Sequence, residues 1–308
     1  MRDIGREAAW RPMAGMAVLL AATQIALADD LGSPAPTSRE PRFASAQWSV
    51  SVTPYGWFPF LNGDVTVRGR TVSLDVNPIQ VLEHLERAPW MSYVEARRGP
   101  LAFYNDIFYA NLTASASRSR FLRAPTLDAT LGVDFEEAVI EFGGAYEIAK
   151  WTSGAPGGLK DAYVPVRYTA LDILAGARYW RQDMAINLAL TGTLDTTGLV
   201  ISSNRAIARA GAVDWVDPLV GFRVRHQLAP GQELTFRADV GGFDVGSRIS
   251  WNLLAAYSWI LCVNNGVTYS GMLGYRALSV DYAKGSGIDR YEYDVLQHGP
   301  VMGMTAKF

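Results

Sequence analysis

The sequence predicts an all-β protein: an antiparallel transmembrane β-barrel of about ten strands, within a range of roughly 8–12, with a short helix in one loop. The prediction rests on three observations: a period-two hydrophobic pattern, alternating short and long connections, and richness in aromatic residues and glycine. The chain has 308 residues, of which 49% are hydrophobic and 11% aromatic, and it contains 29 glycines. Its formal charge of −2 favours neither a nucleic-acid-binding protein nor an acidic disordered tail. The single cysteine excludes an internal disulfide framework and a cysteine-cluster metal site.

The alternation is clearest between Ile249 and Leu261, where apolar side chains occupy the odd positions and mostly small or polar ones the even positions. A run of about 13 residues exceeds the usual globular strand and suffices for a tilted membrane crossing. Trp251 and Trp259 near its ends are placed as the aromatic girdle residues of a membrane barrel would be. In such a barrel the apolar parity faces lipid and the polar parity faces the lumen. A strand of a soluble sandwich is the alternative explanation of the same pattern.

The same reasoning predicts the elements along the chain. The predicted strands are Trp48–Phe60, Trp90–Arg97, Leu101–Thr113, Asp128–Lys150, Tyr163–Leu190, Trp215–Leu228, Glu233–Phe243, Arg248–Leu261, Val267–Tyr282 and Tyr291–Phe308. The long polar connections are predicted at Asn62–Arg87, Ala114–Leu127, Thr191–Ala212 and Ala283–Asp289. Val65–Val67 with Thr71–Leu74 is either a hairpin within the first of these or two more barrel strands, and Pro78–Leu85 has helical spacing.

The N-terminal residues predict export. Arg2, Arg6 and Arg11 precede or flank a short apolar run, which is followed by a small-x-small site ending at Ala28. These are the three parts of a secretory signal peptide. We therefore predict a signal peptide over residues 1–28, a flexible periplasmic leader over 29–45 and a single barrel domain over 46–308.

The last strand ends with Met302, Met304 and Phe308 on one parity. This arrangement resembles the C-terminal signal of Gram-negative outer-membrane β-barrels, which the barrel-assembly machinery recognises. The resemblance implies a location in the cell outer membrane. It also implies contact with outer-membrane lipids and lipopolysaccharide, and with the barrel-assembly machinery and periplasmic chaperones, but not with nucleic acid.

The body of the chain is similar to a family of uncharacterised proteobacterial outer-membrane β-barrel proteins with a porin-like barrel. The residues that carry this similarity include Leu171–Trp180, Asp214–Gly221, Asp239–Phe243, Gly274–Leu278 and His298–Pro300. The similarity extends from about Trp48 to Phe308. It implies a fold and a location, but no established activity.

The inward parity of the predicted strands carries interleaved acids and bases. The predicted charge network of the lumen comprises Glu95, Arg97, Glu141, Asp172, Arg178, Asp217, Arg223, Arg237, Asp239 and Arg276. Because a barrel of this size is nearly filled by side chains, buried charges need partners. The network is therefore either a paired structural ladder or the lining of a narrow polar pathway for small solutes.

An outer-membrane enzyme, lipid-modifying or proteolytic, is the alternative function. It requires one of His84, His226 and His298 to meet a serine or an acid at a rim of the barrel. The sequence contains no Gly-x-Ser-x-Gly elbow, phosphate-binding loop or His-Glu-x-x-His motif. We assign no catalytic residue and expect no metal or cofactor.

Overall fold

The computed structural model describes residues 47–67, 70–121, 126–153, 167–196 and 199–308. Its strands are β1 (Ser49–Trp57), β2 (Phe60–Val67), β3 (Arg70–Val76), β4 (Trp90–Arg98), β5 (Leu101–Phe121), β6 (Thr126–Ser153), β7 (Arg167–Thr196), β8 (Leu199–Ala229), β9 (Gln232–Gly242), β10 (Ile249–Asn264), β11 (Val267–Lys284) and β12 (Tyr291–Lys307). One α-helix, α1, spans Pro78–Glu83, and a 3₁₀ turn spans Gly287–Asp289.

Ten of the strands form a closed antiparallel barrel. Strands β4 to β12 follow one another around the sheet, and β1 closes it by pairing with both β4 and β12. Ser51 lies opposite Lys307 on one side, and Ser49 lies opposite Arg97 on the other. The predicted fold is therefore confirmed. Strands β2 and β3 form the extra hairpin, and α1 is the predicted loop helix.

Strands β1 and β2 run one after the other along β12, with a break at Phe58 and Pro59. Trp57 pairs with Val301, and Phe60 pairs with His298. The pairing of β1 with β4, by contrast, stops at Pro54 opposite Ser92. Beyond that point the Trp57 amide donates to Met91 Sδ at 3.1 Å rather than to a strand carbonyl. We call this discontinuity between Trp57 and Met91 the wall gap.

The barrel is apolar outside and largely polar inside, as the alternation predicts. Phe142, Phe222 and Leu273 are exposed on the outward parity. Glu141 and Arg223 are buried on the inward parity of the same strands as Phe142 and Phe222. A soluble sandwich would bury the apolar parity, so this arrangement is typical of a membrane barrel. No helix in the described ranges is long and apolar enough to cross a membrane.

Two of the predicted long connections are wrong. Strand β5 continues to Phe121 and β6 begins at Thr126, within the predicted connection Ala114–Leu127. Strands β7 and β8 likewise extend to Thr196 and from Leu199. Polar composition marks where the apolar band ends, but it does not end a hairpin, because backbone pairing continues wherever both strands remain extended.

The predicted signal peptide (residues 1–28) and leader (29–45) lie outside the described residues, and they stay predictions. Residues 154–166, between β6 and β7, also lie outside the described residues.

Candidate functional site: the barrel interior

The interior has two halves of different chemistry. We call the half near Ser49 and Phe308 the terminal half, and the half near the β2–β3 hairpin and α1 the hairpin half. The terminal half contains arginines and carboxylates, whereas the hairpin half contains a core of aromatic and aliphatic side chains. The predicted charge network therefore occupies only part of the lumen.

The first group of charges surrounds Asp172, which is 0% exposed. Asp172 accepts from Arg97 at 3.0 Å, Arg223 at 2.8 Å and Arg225 at 3.1 Å. Glu95 contacts Arg97 and Arg223 at 3.1 and 2.5 Å. Glu147 contacts Arg225 at 2.9 Å. We call this set the Asp172 cluster: Arg97, Arg223, Arg225, Glu95, Glu147 and Asp172.

The second group lies deeper in the barrel, around Arg178, which is also 0% exposed. Arg178 Nη2 donates to Glu141 at 2.8 Å and to Asp239 at 2.6 Å. Arg237 contacts both of these carboxylates. Arg276 contacts Asp106 at 2.9 Å. We call this set the Arg178 cluster: Arg178, Arg237, Arg276, Glu141, Asp239 and Asp106.

Asn252 joins the parts of the Arg178 cluster. Its Nδ2 donates to Asp239 at 2.8 Å, and its Oδ1 accepts from Arg276 Nε at 2.9 Å. Tyr55 joins the other side, because its hydroxyl donates to Asp106 at 2.7 Å and accepts from Arg276 at 3.1 Å. These contacts link side chains from β1, β5, β9, β10 and β11, so the cluster bridges the barrel from wall to wall.

Each cluster balances three arginines with three carboxylates. A buried charge is tolerated when its partner and further hydrogen bonds replace the lost water, and removal of one partner is strongly destabilising. The arrangement therefore corresponds to a paired ladder, in which the charges neutralise one another within the wall and the lumen.

A cavity of ≈ 350 Å³ occupies the terminal half. Arg97, Arg225 and Lys307 line it, as does Glu233, and its inner lining includes Arg237, Arg276 and Asn252 of the Arg178 cluster and its link. The cavity thus reaches the level at which the Arg178 cluster crosses the lumen.

Stacked aromatic rings fill the hairpin half. Trp180 and Trp215 have ring centroids 5.6 Å apart, and Trp215 and Tyr282 have centroids 3.8 Å apart. Trp180 is 0% exposed and Trp215 6%. These tryptophans therefore pack inside the barrel, unlike Trp251 and Trp259, for which girdle positions are predicted. Trp215 shares the inward parity of Arg223 on β8, and that parity was the available signal.

Asp217 was predicted to belong to the charge network, but it contacts no arginine within 4.0 Å among the described residues. Its carboxylate accepts from the Ser247 amide at 2.6 Å, the Ser247 hydroxyl at 2.8 Å and Trp180 Nε1 at 3.1 Å. Asp217 therefore holds the segment Phe243–Ser247, and Ser247 is 0% exposed.

Glu137 is a buried carboxyl that the predicted set omitted, although it shares the inward parity of Glu141 on β6. It accepts from Gln182 at 2.8 Å, from Gln297 at 2.8 and 3.0 Å, and from Tyr293 at 3.4 Å. All of its donors are neutral. Parity was the available signal for this residue, but parity does not reveal that its partners are neutral amide and hydroxyl groups.

The residues predicted as the assembly signal lie on the outer surface. Met302, Met304 and Phe308 are 49%, 56% and 62% exposed. Phe308 exchanges backbone hydrogen bonds with Val50 of β1, so the C-terminus takes part in closure of the barrel. Their role in assembly stays a prediction.

The three histidines lie apart from one another. His84 Nδ1 contacts the Gln80 carbonyl, and His226 contacts the Thr169 hydroxyl. His298 contacts Tyr275 and Asn62. Within the described ranges, none of these contacts joins histidine to a carboxylate, and no group of three or more potential ligand residues could hold a metal ion. The contacts provide no catalytic triad.

Known proteins give little information at the level of sequence. No protein-family profile and no curated protein match the chain. Among solved structures, the attachment invasion locus protein Ail of Yersinia pestis has 8% identity and a TM-score of 0.26, and the match covers 85% of this chain and 98% of that one. A FadL homologue of Pseudomonas aeruginosa has 10% identity and a TM-score of 0.23, over 85% and 89%. The assignment of the fold rests on the strand pairing of this chain itself.

Proposed function

We propose that this chain is an outer-membrane β-barrel protein with a structural role, whose lumen is closed to solutes by its own side chains. The observation that carries the proposal is the Arg178 cluster, in which Arg178 is 0% exposed and bonded to Glu141 and Asp239 from other strands. The stacked rings of Trp180, Trp215 and Tyr282 add a second barrier in the hairpin half.

The outer surface supports a membrane location. Exposed apolar side chains recur on every strand from β6 to β12, with Phe142, Ile173, Phe222, Phe236, Leu253, Leu273 and Met302 as examples. Such an apolar outer band, combined with a polar interior, characterises membrane barrels. The predicted signal peptide and the terminal Phe308 agree with export to the outer membrane.

Deletion of Phe308 tests this location. The full chain, expressed in a Gram-negative host, should require detergent for extraction and should change its gel mobility on heating. The truncated chain should lose both properties, whereas Lys307→Ala, a change at the neighbouring inward position, should retain them. Normal folding and membrane insertion of the truncated chain would count against the proposal.

A second candidate function, passive passage of small solutes, is favoured by the ≈ 350 Å³ cavity of the terminal half. It requires the Arg178 cluster to move aside, because that cluster lies at the inner end of the cavity. Liposomes that contain the folded protein separate the two functions: swelling in a small sugar supports passage, and no swelling beyond protein-free liposomes supports the closed barrel.

A further inference from the structure

A small, mainly apolar cavity of ≈ 120 Å³ lies at the wall gap. It is lined by both edges of the gap, including Trp57 and Met91, by Leu82 of α1, and by the inward-facing Phe108 and Phe135. The cavity therefore extends from the discontinuity in the wall into the hairpin half. Of the residues that line the terminal-half cavity, Tyr55 also lines this one, but no charged side chain of the two clusters does.

Glu137 and Gln297 are the exceptions to this apolar or aromatic lining. Glu137 is 3% exposed and Gln297 1%. The donors to Glu137 are the Gln182 and Gln297 amides and the Tyr293 hydroxyl. The Tyr291 hydroxyl donates to Gln182 Oε1 at 2.7 Å, which directs the Gln182 amide nitrogen towards Glu137.

Glu137 therefore differs from the carboxylates of the two clusters, each of which contacts a guanidinium. In the part of the chain that the structure describes, no Lys, Arg or His nitrogen lies within 4.0 Å of Glu137. A buried carboxylate without a counter-charge is costly, and an ionisable side chain in a membrane-spanning segment commonly marks a site. Glu137 is a buried carboxylate of this kind, and it also lines a cavity.

We propose that the cavity binds a small apolar amine, with its hydrocarbon body at the wall gap and its ammonium group against Glu137. The carboxylate accepts hydrogen bonds from the ammonium group, which supplies the counter-charge that Glu137 lacks. Aromatic rings attract a cation, and Phe108 and Phe135 line the cavity. Apolar cavities of about 150 Å³ hold a benzene-sized molecule, so this smaller cavity of ≈ 120 Å³ fits a body of about five carbons. This site goes beyond the structural role, and its occupancy does not require the lumen to open.

Cyclopentylamine and its neutral analogue cyclopentanol test the proposal by calorimetry on the folded barrel in detergent micelles, with protein-free micelles as the blank. At neutral pH the wild type should bind the amine at least about tenfold more tightly than the alcohol, a difference of about 1.4 kcal/mol. Glu137→Gln should abolish this preference and leave cyclopentanol binding unchanged. Glu136→Gln, one residue away on the outward parity, should bind both compounds as the wild type does.

Ala110→Leu provides an independent test, since Ala110 lines the cavity and is 8% exposed. The larger side chain should prevent binding of both compounds while the heat-dependent gel mobility stays unchanged. Equal wild-type affinities for amine and alcohol, or retained preference in Glu137→Gln, would overturn the proposal, as would no saturable binding above the blank. Should Glu137→Gln fail to fold, the wild-type preference and its loss in Ala110→Leu decide the question.

Discussion

The two halves of the lumen differ in what stabilises their buried carboxylates. In the terminal half, Asp172 lies among three arginines, and it is 0% exposed. In the hairpin half, Asp217 is also 0% exposed, but among the described residues it accepts only from Ser247 and Trp180, which are neutral donors. The comparison shows that one barrel buries acids either by charge pairing or by hydrogen bonding.

Asp172→Asn should have the largest effect on stability. The change leaves three guanidinium groups, those of Arg97, Arg223 and Arg225, without their shared carboxylate. Loss of one partner from a buried ion pair costs about 3–5 kcal/mol. Urea unfolding of the barrel in phospholipid vesicles measures the free energy of unfolding. Glu147→Gln is the matched control, because Glu147 contacts only Arg225 of these arginines, and its loss should cost clearly less.

Trp215→Ala should be the next largest change. It removes a ring that packs against Trp180 and Tyr282, and the space cannot be refilled without movement of β8. A buried aromatic replaced by alanine costs about 3 kcal/mol or more. The same urea titration measures this loss, with Val216→Ala, an outward neighbour, as the control. Equal losses of unfolding free energy in the two variants would show that packing of the stacked rings does not stabilise the barrel.

Asp217→Asn repeats the substitution made at Asp172 and is the sharpest comparison between the halves. Asparagine retains an acceptor for the Ser247 amide, and no arginine is left unpaired. The expected loss is about 1–2 kcal/mol, as for a hydrogen bond to a charged group that becomes neutral. Faster proteolysis within Phe243–Ser247 should accompany it. A loss as large as that of Asp172→Asn would remove the distinction between the two halves.

Arg248→Ala should have the smallest effect. The Arg248 side chain is 52% exposed at the rim, where it contacts Asp281 at 2.8 Å and Glu292 at 3.3 Å. There the hydrogen bond from Arg290 lowers the pKa of Glu292. Exposed ion pairs contribute about 0–1 kcal/mol, so the free energy of unfolding should barely change. The change should be smaller still at high salt. A loss of several kcal/mol in unfolding free energy would show that an exposed ion pair at the rim stabilises the barrel as much as a buried one in the lumen.

Much of the fold followed from parity in the sequence. The odd positions from Ile249 to Leu261 identified the outer face of β10, and the opposite parity on other strands identified Arg223, Glu141 and Arg276 as inward residues. Parity assigns a face, however, and not a depth or a partner. For this reason Asp217 was grouped with the arginines, although a loop residue, Ser247, satisfies it.

The remaining errors have two physical causes. The predicted ends of β5 to β8 were wrong because backbone hydrogen bonding between strands continues beyond the point where the apolar alternation stops. The wall gap was not predicted. It arises because β2 pairs with β12, whereas the pairing of β1 with β4 stops at Pro54 and none of the described pairings joins β4 to β2. That difference concerns pairing between strands distant in sequence, so one strand's pattern could not reveal it.

The central claim is that the lumen is closed, and conductance across a planar lipid bilayer tests it most directly. Insertion of the folded barrel, verified by its heat-dependent gel mobility, should produce no stepwise increase in current in salt solution. The Arg178 cluster and the stacked rings of the hairpin half would both have to open for ions to pass. Reproducible unitary conductance steps from the wild-type protein would contradict the closed lumen and favour the passage of small solutes.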